Sequence, residues 1–440
     1  MFGGITANSN ELDACDKISG KDSFIEHIPY FKALIPEDRL TAFIESDNTL
    51  KEKYDAANVP LSPVDEHLSK QAVNTVFPGD LGISQTATDT YAKCPFSFQC
   101  KYALKLHEKN SATIEKSDLG TLVHSVLNDF LEDGIGDVIK GGAVDRDEIY
   151  KRVRDITDKH SKLLIEFTSE EKRARVSRML GRIADITAMS AANLAEEFNQ
   201  SGFVPTFCEF PISSRTGGGL MPLKLSLEDG SYVVLGGIAD RVDTMVKGGK
   251  LYIRVADYKT GNRAFSLENI RVGLSLQLLI YLFSIWENAD DTFRHTAHAE
   301  DGCEIIPAGA EYVMTMPESV EGTADADKLS ESLSKAFKRS GIYLADSEII
   351  NAMDTGFSGK FVPVKQTMKA NGKSVLATLD EFNALKDEVS GILTDIGNGI
   401  KRGNAQIKPL AKSSDRPYDA CEFCPMKPVC KNVGIEADEE

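Results

Sequence analysis

The apolar residues of the chain first recur with the three-to-four-residue spacing of helices. In the segment SQTATDTYAKCPFSFQCKYALKL, which begins at Ser84, helical spacing places Tyr91, Cys94 and Phe98 together, so Cys94 is predicted to face inward. A second helix is predicted over LGTLVHSVLNDFL, with its apolar face beside His124. Further helical signal occupies roughly residues 146–200. This half of the pattern predicts a layer of helices.

Beyond residue 200 the spacing of apolar residues changes to two, the period of a strand. Strands are predicted in PTFCEFPIS, PLKLSLEDGSYVVLGGIADRVDTMV and KLYIRVADYKTG, with turns at Asp229-Gly230 and Gly248-Gly249. A single helix is then predicted over LENIRVGLSLQLLIYLFSIWEN, followed by a strand near AEYVMTM. Helices, then strands, then helices indicate the α/β class.

Length and composition limit the organisation of the chain. Its 440 residues exceed the roughly 250 to 300 at which one core stops growing. Residues 1–80 carry proline breaks and no recognisable chemical motif, so they are predicted to be a leader, and residues 81–440 a second domain. No membrane-length apolar segment or signal peptide is found, which predicts a cytoplasmic protein. A net charge of -17 excludes a generic nucleic-acid coat protein and predicts that any contact with DNA is local.

The clearest chemical motif is DYKTG, at the end of an apolar strand. Residues two apart share a face of a strand, so Asp257 and Lys259 are predicted to project together, with Tyr258 pointing away. Mg²⁺ needs more than one carboxylate, and the preceding strand offers Asp240 or Asp243. These two lie on opposite faces, so we expect Asp240 at the site and Asp243 at the surface. Taken alone, the motif also fits a solvated ion pair.

Four motifs in order resemble the RecB-like branch of the PD-(D/E)XK nucleases, whose pattern runs G-x-x-x-H, G-x-x-D, D-x-K-T-G and Q-x-x-x-Y. They fall on Gly120/His124, Gly237/Asp240, Asp257/Lys259 and Gln277/Tyr281.

The resemblance implies a restriction-endonuclease-like core with a mixed central sheet flanked by helices. It also implies Mg²⁺ or Mn²⁺ held by His124, Asp240, Asp257 and the Tyr258 carbonyl, with Lys259 as the catalytic cation beside Asp240 and Asp257. Glu209 stands where family members often have an acid. We expect Gln277 and Tyr281, one helical turn apart, to position substrate.

The cysteines form a second candidate site. Cys421, Cys424 and Cys430 lie within ten residues, which suits zinc or an iron–sulfur cluster with a fourth ligand from elsewhere. Cys94 is the first candidate for that ligand and Cys100 the alternative. Eight cysteines in a chain of this length that is predicted to be cytoplasmic do not indicate a disulfide framework.

One cysteine before the nuclease motifs and three after them resemble the iron–sulfur nucleases of this superfamily, and most closely the C-terminal nuclease region of B subunits of bacterial AddAB-type helicase–nucleases. That resemblance implies a 4Fe-4S cluster that closes the fold and an AddA-type helicase partner that supplies the ATPase. It further implies exonuclease activity on single strands at DNA ends during double-strand-break repair, with residues 1–80 as the remnant of a helicase-like region. Two alternatives remain: a non-catalytic iron–sulfur scaffold that binds DNA ends, and a stand-alone nuclease resembling those of CRISPR adaptation.

Overall fold

The chain divides into two units. The structure, a computed structural model, describes residues 36–58, 67–106, 116–140, 143–166, 168–213, 219–261, 263–316, 337 and 339–430. The first unit is Met1–Glu66 and the second His67–Glu440. In the first, helix α1 spans Glu37–Glu45 and α2 spans Asn48–Asn58. Within the described ranges, no helix is both long enough and apolar enough to span a membrane.

The second unit begins with a mainly helical region, as the apolar pattern of residues 84–200 predicts. Its elements are α3 (Lys70–Val76), β1 (Leu81–Ile83), α4 (Gln85–Lys93), α5 (Pro95–Phe98), a π-helix (Gln99–Ala103), α6 (Lys116–Glu132), a 3-10 turn (Ile135–Val138), the pair β2 (Ile139–Lys140) and β3 (Ala143–Val144), α7 (Arg146–Glu166) and α8 (Glu170–Gln200). Ser84 caps α4 by accepting a hydrogen bond from the Ala87 N–H. Cys94 is buried, as predicted, but the helix predicted to continue through it is interrupted, because Cys94 takes extended backbone between α4 and α5.

The strands form a six-stranded mixed sheet and a smaller three-stranded sheet. They are β4 (Val204–Ile212), β5 (Leu223–Ser226), β6 (Tyr232–Leu235), β7 (Gly237–Lys247), β8 (Lys250–Lys259), β9 (Glu304–Met314), β10 (Arg339–Leu344), the pair β11 (Val364–Lys365) and β12 (Lys369–Ala370), and β13 (Val375–Ala377). The large sheet has the order β13-β10-β9-β8-β7-β4, and the small one β1-β6-β5. Strands β8 and β9 run parallel, whereas β7 is antiparallel to β8. The mixed sheet expected from the resemblance is therefore confirmed.

The turns and the last helices follow the sequence with one correction. The β7–β8 turn is Gly248-Gly249, and both glycines have positive φ, +58° and +71°. The helix predicted over residues 267–288 is instead two helices, because Gly273 and Ser275 take left-handed backbone at φ +82° and +59°. The helices are α9 (Leu267–Arg271), α10 (Gln277–Asn288), α11 (Asp291–Thr296), α12 (Ser347–Met353), α13 (Leu379–Lys401) and α14 (Lys427–Cys430).

Helices cover both faces of the large sheet. On one face α10 packs against β8 and β9 with an almost wholly buried apolar run, Leu278–Phe283. On the other face, buried residues of α6, α7 and α8 form a second core that includes Ala256 and Tyr258 of β8. The end of β8 therefore lies between two helical layers, where a polar group is shielded from water.

Candidate metal centre

Three side chains from three different elements converge beside the end of β8. His124 of α6, Glu209 of β4 and Asp240 of β7 each offer a ligand atom, and these atoms all lie within 4.8 Å of one another. His124 Nδ1 is 3.3 Å from Asp240 Oδ2. The Tyr258 N–H donates a hydrogen bond to the same oxygen at 2.7 Å. We call His124, Glu209 and Asp240 the cation-ligand group.

Glu209 joins this group through an unusual backbone conformation. Its neighbours Cys208 and Phe210 pair with Arg241 and Ala239 of β7, so Glu209 stands across from Asp240. Its φ is +47°, in the left-handed region that non-glycine residues seldom occupy. Strain of this kind concentrates at functional sites. The sequence placed an acid here only by resemblance, because no glycine or turn motif marks the position.

Asp257 and Lys259 meet as the strand periodicity predicts, on β8. Lys259 Nζ forms an ion pair with Asp257 Oδ2, although no hydrogen bond of good geometry reaches that buried oxygen from the described residues. Burial and the nearby Asp240 carboxylate raise the pKa of Asp257 to about 6, against the opposing effect of Lys259. Asp257 is 1% exposed and lies outside the cation-ligand group.

The electrostatics of the site fit a bound divalent cation. Burial and the Asp240 charge raise the pKa of Glu209. Burial lowers the pKa of His124, but the hydrogen bond to Asp240 and the charges of Asp240 and Asp257 outweigh it, so that pKa is raised overall. Crowded carboxylates with an oxygen lacking a good hydrogen bond are what a hard cation stabilises, and the ligand atoms are the oxygen and imidazole types that such ions accept.

Gln277 begins α10 and Tyr281 lies one turn later, close to this site. Gln277 Nε2 is 3.4 Å from Tyr281 Oη. Tyr281 is 5% exposed, and burial is the main cause that raises its pKa, with the charges of Asp257 and Asp240 adding to it. A Cβ at Gly237 would stand 2.2 Å from Tyr281 Oη, so that position must be glycine for the hydroxyl to approach β7.

Gly120 has no comparable steric role. A Cβ there would meet Thr260 Oγ1 at 3.5 Å, an ordinary contact. The two motif glycines thus differ: Gly237 makes room for the tyrosine hydroxyl, whereas Gly120 tolerates a methyl group by this measure.

Asp243 is buried, and the expectation that it lies at the surface is wrong. Its carboxylate is fully enclosed and accepts hydrogen bonds from Arg241 Nε at 2.7 Å and Arg254 Nε at 2.9 Å. It faces away from the cation-ligand group, toward the side of the sheet covered by α8. The alternating pattern of β7 identifies the face on which Asp243 lies but not that a helix covers that face.

Asp243 belongs to a buried ion network that crosses the large sheet. Its six members are three arginines and three acids drawn from α8 and four strands: Glu197, Arg241, Asp243, Arg254, Glu311 and Arg339. Burial raises the pKa of Glu197, but the arginines outweigh it and hold that pKa at about 2. Arg241 Nη1 also donates to the Tyr258 hydroxyl at 3.1 Å. The network is thereby joined to the residue whose N–H holds Asp240.

The cysteines of the tail come together with those of the first helices. Burial raises the pKa of the Cys100 thiol, and nearby Cys430, Cys424 and Cys94 add to that rise. Burial and Asp419 raise the pKa of Cys421, again with contributions from Cys424, Cys94 and Cys430. We call Cys94, Cys100, Cys421, Cys424 and Cys430 the thiol group. Both candidates for the fourth ligand, Cys94 and Cys100, belong to it.

Hydrogen bonds fix the same two segments to each other. The Phe96 N–H donates to the Gln406 carbonyl at 3.1 Å, and Gln99 Nε2 donates to the Asn404 carbonyl at 3.0 Å. The Leu410 N–H donates to the Lys93 carbonyl at 2.9 Å. The first helices of the unit therefore contact its tail through the protein's own backbone as well as through the thiol group.

Comparison with known proteins agrees with this geometry. The chain is 28% identical over 377 residues to the B subunit of the ATP-dependent helicase/deoxyribonuclease of Clostridium acetobutylicum, a match that covers 83% of this chain and 31% of that protein. Proteins of the same name from Thermoanaerobacter sp. (strain X514) and Clostridium novyi (strain NT) are 28% and 27% identical, over 82% and 83% of this chain and 30% and 32% of their own lengths. The chain thus spans about a third of the relatives it matches.

The family model described as the PD-(D/E)XK nuclease superfamily matches residues 82–431, which include the cation-ligand group, the Asp257–Lys259 pair and the thiol group. The chain therefore belongs to the PD-(D/E)XK nuclease superfamily and is a metal-dependent nuclease.

Proposed function

We propose that this chain hydrolyses single-stranded DNA at its ends as the nuclease part of a helicase–nuclease, with Mg²⁺ or Mn²⁺ as the cofactor. The observation that carries the proposal is the convergence of His124, Glu209 and Asp240 beside the Asp257–Lys259 pair, inside a chain of this superfamily. The relatives are named for an ATP-dependent helicase/deoxyribonuclease, and that name supports DNA as the substrate and a helicase as the partner.

Each residue of the site has a role that follows from its position. His124, Asp240 and Asp257, with the Tyr258 carbonyl, are proposed to hold the cation, and Glu209 joins them because its ligand atom lies within 4.8 Å of those of His124 and Asp240. A cation held by these residues would supply a lowered pKa for a bound water molecule and polarisation of a phosphoryl oxygen. Lys259 supplies a positive charge that stabilises the negative charge developing on the phosphate in the transition state.

Tyr281 and Gln277 are proposed to orient the scissile phosphate. Both are hydrogen-bond donors beside the acidic residues, and Gly237 leaves space for the hydroxyl. Contacts to phosphate fix the register of a nucleic acid without building the cation site. Their loss should therefore weaken DNA binding and cleavage and leave cation affinity nearly unchanged.

The thiol group is proposed to hold a 4Fe-4S cluster through Cys94, Cys421, Cys424 and Cys430. Cys94, Cys424 and Cys430 each add to the raised pKa of both Cys100 and Cys421, so the five thiols lie near one another. Four neighbouring thiolates suit a 4Fe-4S cluster, which is the group that the resemblance of the cysteine spacing implies.

The experiment is a cleavage assay of the purified chain on end-labelled single strands. Activity is expected with Mg²⁺ or Mn²⁺, and it should be lost in EDTA and in Asp240→Asn. Addition of an AddA-type helicase should extend cleavage to duplex ends in the presence of ATP. An intact fold that binds the cation and cleaves neither substrate would contradict the proposed activity and support the non-catalytic scaffold.

A further inference from the structure

A polar cavity extends from the cation-ligand group along helix α6. Its volume is about 390 Å³, and it is lined at one end by His124, Glu209 and Asp240 and at the other by Asn128, Asp129 and His160. An ion with six waters occupies roughly 180 Å³, at about 30 Å³ for each water. The cavity therefore has space for part of a substrate beside a hydrated cation.

The two ends of the cavity are separated along α6 by a distance that suits a nucleic-acid backbone. His124 and Asn128 are four residues apart on this helix and share one of its faces, which corresponds to about 6 Å along its axis. Neighbouring phosphates of an extended single strand lie at a similar spacing. A strand that places one phosphate at the cation-ligand group thus brings the next phosphate to the far end.

The far end carries basic groups that share one carboxylate. His160 Nε2 lies 2.9 Å from Asp129 Oδ2, and Lys159 Nζ lies 3.4 Å from the same oxygen. Burial raises the pKa of Asp129, but the hydrogen bonds and charges of His160 and Lys159 outweigh it, and that pKa is lowered. Through this contact the ionised Asp129 orients the imidazole, so that the other ring nitrogen, Nδ1, is turned away from the carboxylate.

Asn128 adds a polar atom to this end of the cavity, its side-chain oxygen. Its Oδ1 is shielded from solvent, and no hydrogen bond reaches it from the described part of the chain. The amide oxygen and nitrogen exchange places by rotation, so this position offers a donor or an acceptor to a bound group. A shielded amide without a partner costs free energy unless a ligand or water satisfies it.

We propose that His160 and Asn128, with Asp129 as the residue that orients the imidazole, bind the backbone phosphate next to the one held at the cation-ligand group. The inference rests on the proposed function for its substrate, a DNA strand. It assigns to α7 a part in binding that neither the sequence motifs nor the cation-ligand group include.

The test measures the affinity of the full chain for a fluorescein-labelled oligothymidylate by anisotropy, with Ca²⁺ in place of Mg²⁺, over a series of salt concentrations. His160→Ala is expected to weaken binding roughly tenfold or more, the effect of one hydrogen bond to a charged group. The series is run at about pH 5.5, below the ordinary imidazole pKa of about 6.5, so that a histidine side chain can carry charge. The slope of log affinity against log salt should then become shallower by about 0.7, the value for one phosphate contact on a single strand. His160→Lys should restore the slope.

The matched control is Lys162→Ala, which removes an exposed positive charge from the same helix outside the cavity lining. It should leave affinity and slope close to those of the unsubstituted chain. A salt slope in His160→Ala equal to that of the control would overturn the proposal. So would a loss of Mg²⁺ affinity in His160→Ala as large as that in Asp240→Ala, because His160 would then be a cation ligand.

Failure of the inference and failure of the proposed function give different results. A chain that cleaves DNA and shows no change of slope in His160→Ala retains the proposed function and loses this phosphate site. A chain that binds the oligonucleotide with the expected change of slope but does not cleave it retains the site and loses the proposed activity.

Discussion

Replacing Asp257 with asparagine is expected to stabilise the metal-free protein while abolishing metal-dependent cleavage. Asp257 is almost completely buried, and burial together with the Asp240 charge raises its pKa from 3.8 to about 6 despite the ion pair with Lys259. Since one pKa unit corresponds to about 1.36 kcal/mol, the ionised side chain is disfavoured by about 3 kcal/mol. Asparagine resembles the protonated acid in shape and stays neutral, so it removes this cost.

The pH dependence of the stabilisation follows from the direction of the pKa shift. The folded protein binds the Asp257 proton more tightly than the unfolded chain does, so its stability falls as the pH rises from about 3.8 through about 6. The variant lacks this titration. Its advantage in free energy of unfolding should therefore be small near pH 4, grow between pH 4 and pH 6, and be complete above pH 6.

Urea unfolding in EDTA at several pH values from about 4 to about 8 measures this difference across the whole titration range of Asp257. The matched control is Asp243→Asn, the same change at a buried aspartate of the neighbouring strand. Asp243 is held by Arg241 and Arg254, so its neutralisation leaves buried arginines uncompensated and should cost about 3 to 5 kcal/mol. Destabilisation of both variants above pH 6 would refute the conclusion that Asp257 is strained in the absence of a cation.

Three further changes test other parts of the site. Gly237→Ala should lower the rate of DNA cleavage roughly tenfold to a hundredfold, because the added Cβ would displace the Tyr281 hydroxyl. The control, Gly120→Ala, should keep its activity in the same assay. Equal activity of the two variants would contradict this reasoning. Lys259→Ala should retain Mg²⁺ affinity by calorimetry and lose on the order of 10²-fold or more in single-turnover rate, and a comparable loss of Mg²⁺ affinity would count against a purely catalytic role. Cys424→Ser should remove the iron and brown colour from protein prepared without oxygen and lower its melting temperature; stoichiometric zinc in the unsubstituted protein would rule out iron.

The strands that carry the site could be predicted because their information is local. Apolar alternation and the Gly248-Gly249 turn define β7 and β8, and the two-residue spacing brings Asp257 beside Lys259. The α9–α10 break could not be predicted with the same ease. The apolar period continues across it. Ser275 takes left-handed backbone, and its N–H donates a hydrogen bond to the distant Asp89 carboxylate at 2.9 Å, a contact that a periodicity does not contain.

The surroundings of Asp243 and Glu209 depend on distant segments of the chain. Whether Asp243 contacts water or arginines is decided by helix α8, which contributes Glu197 to the same network. Glu209 reaches the cation-ligand group through a positive φ that non-glycine residues rarely adopt. In both cases the residue type was visible in the sequence, and the environment that gives it a role was made by tertiary packing.

The two faces of β7 and β8 have opposite electrostatic character. This difference explains how the crowded carboxylates of the site are held in place. On the face toward the cation-ligand group, Asp240 and Asp257 crowd each other with insufficient positive charge. On the other face, three arginines balance three acids, and Arg241 reaches Tyr258, whose N–H holds Asp240. A buried network of equal numbers of arginines and acids can hold neighbouring groups in an arrangement that they would not adopt alone. The free energy lost by crowding the carboxylates is then recovered when a divalent cation binds, so the network favours a site that is formed before the metal arrives.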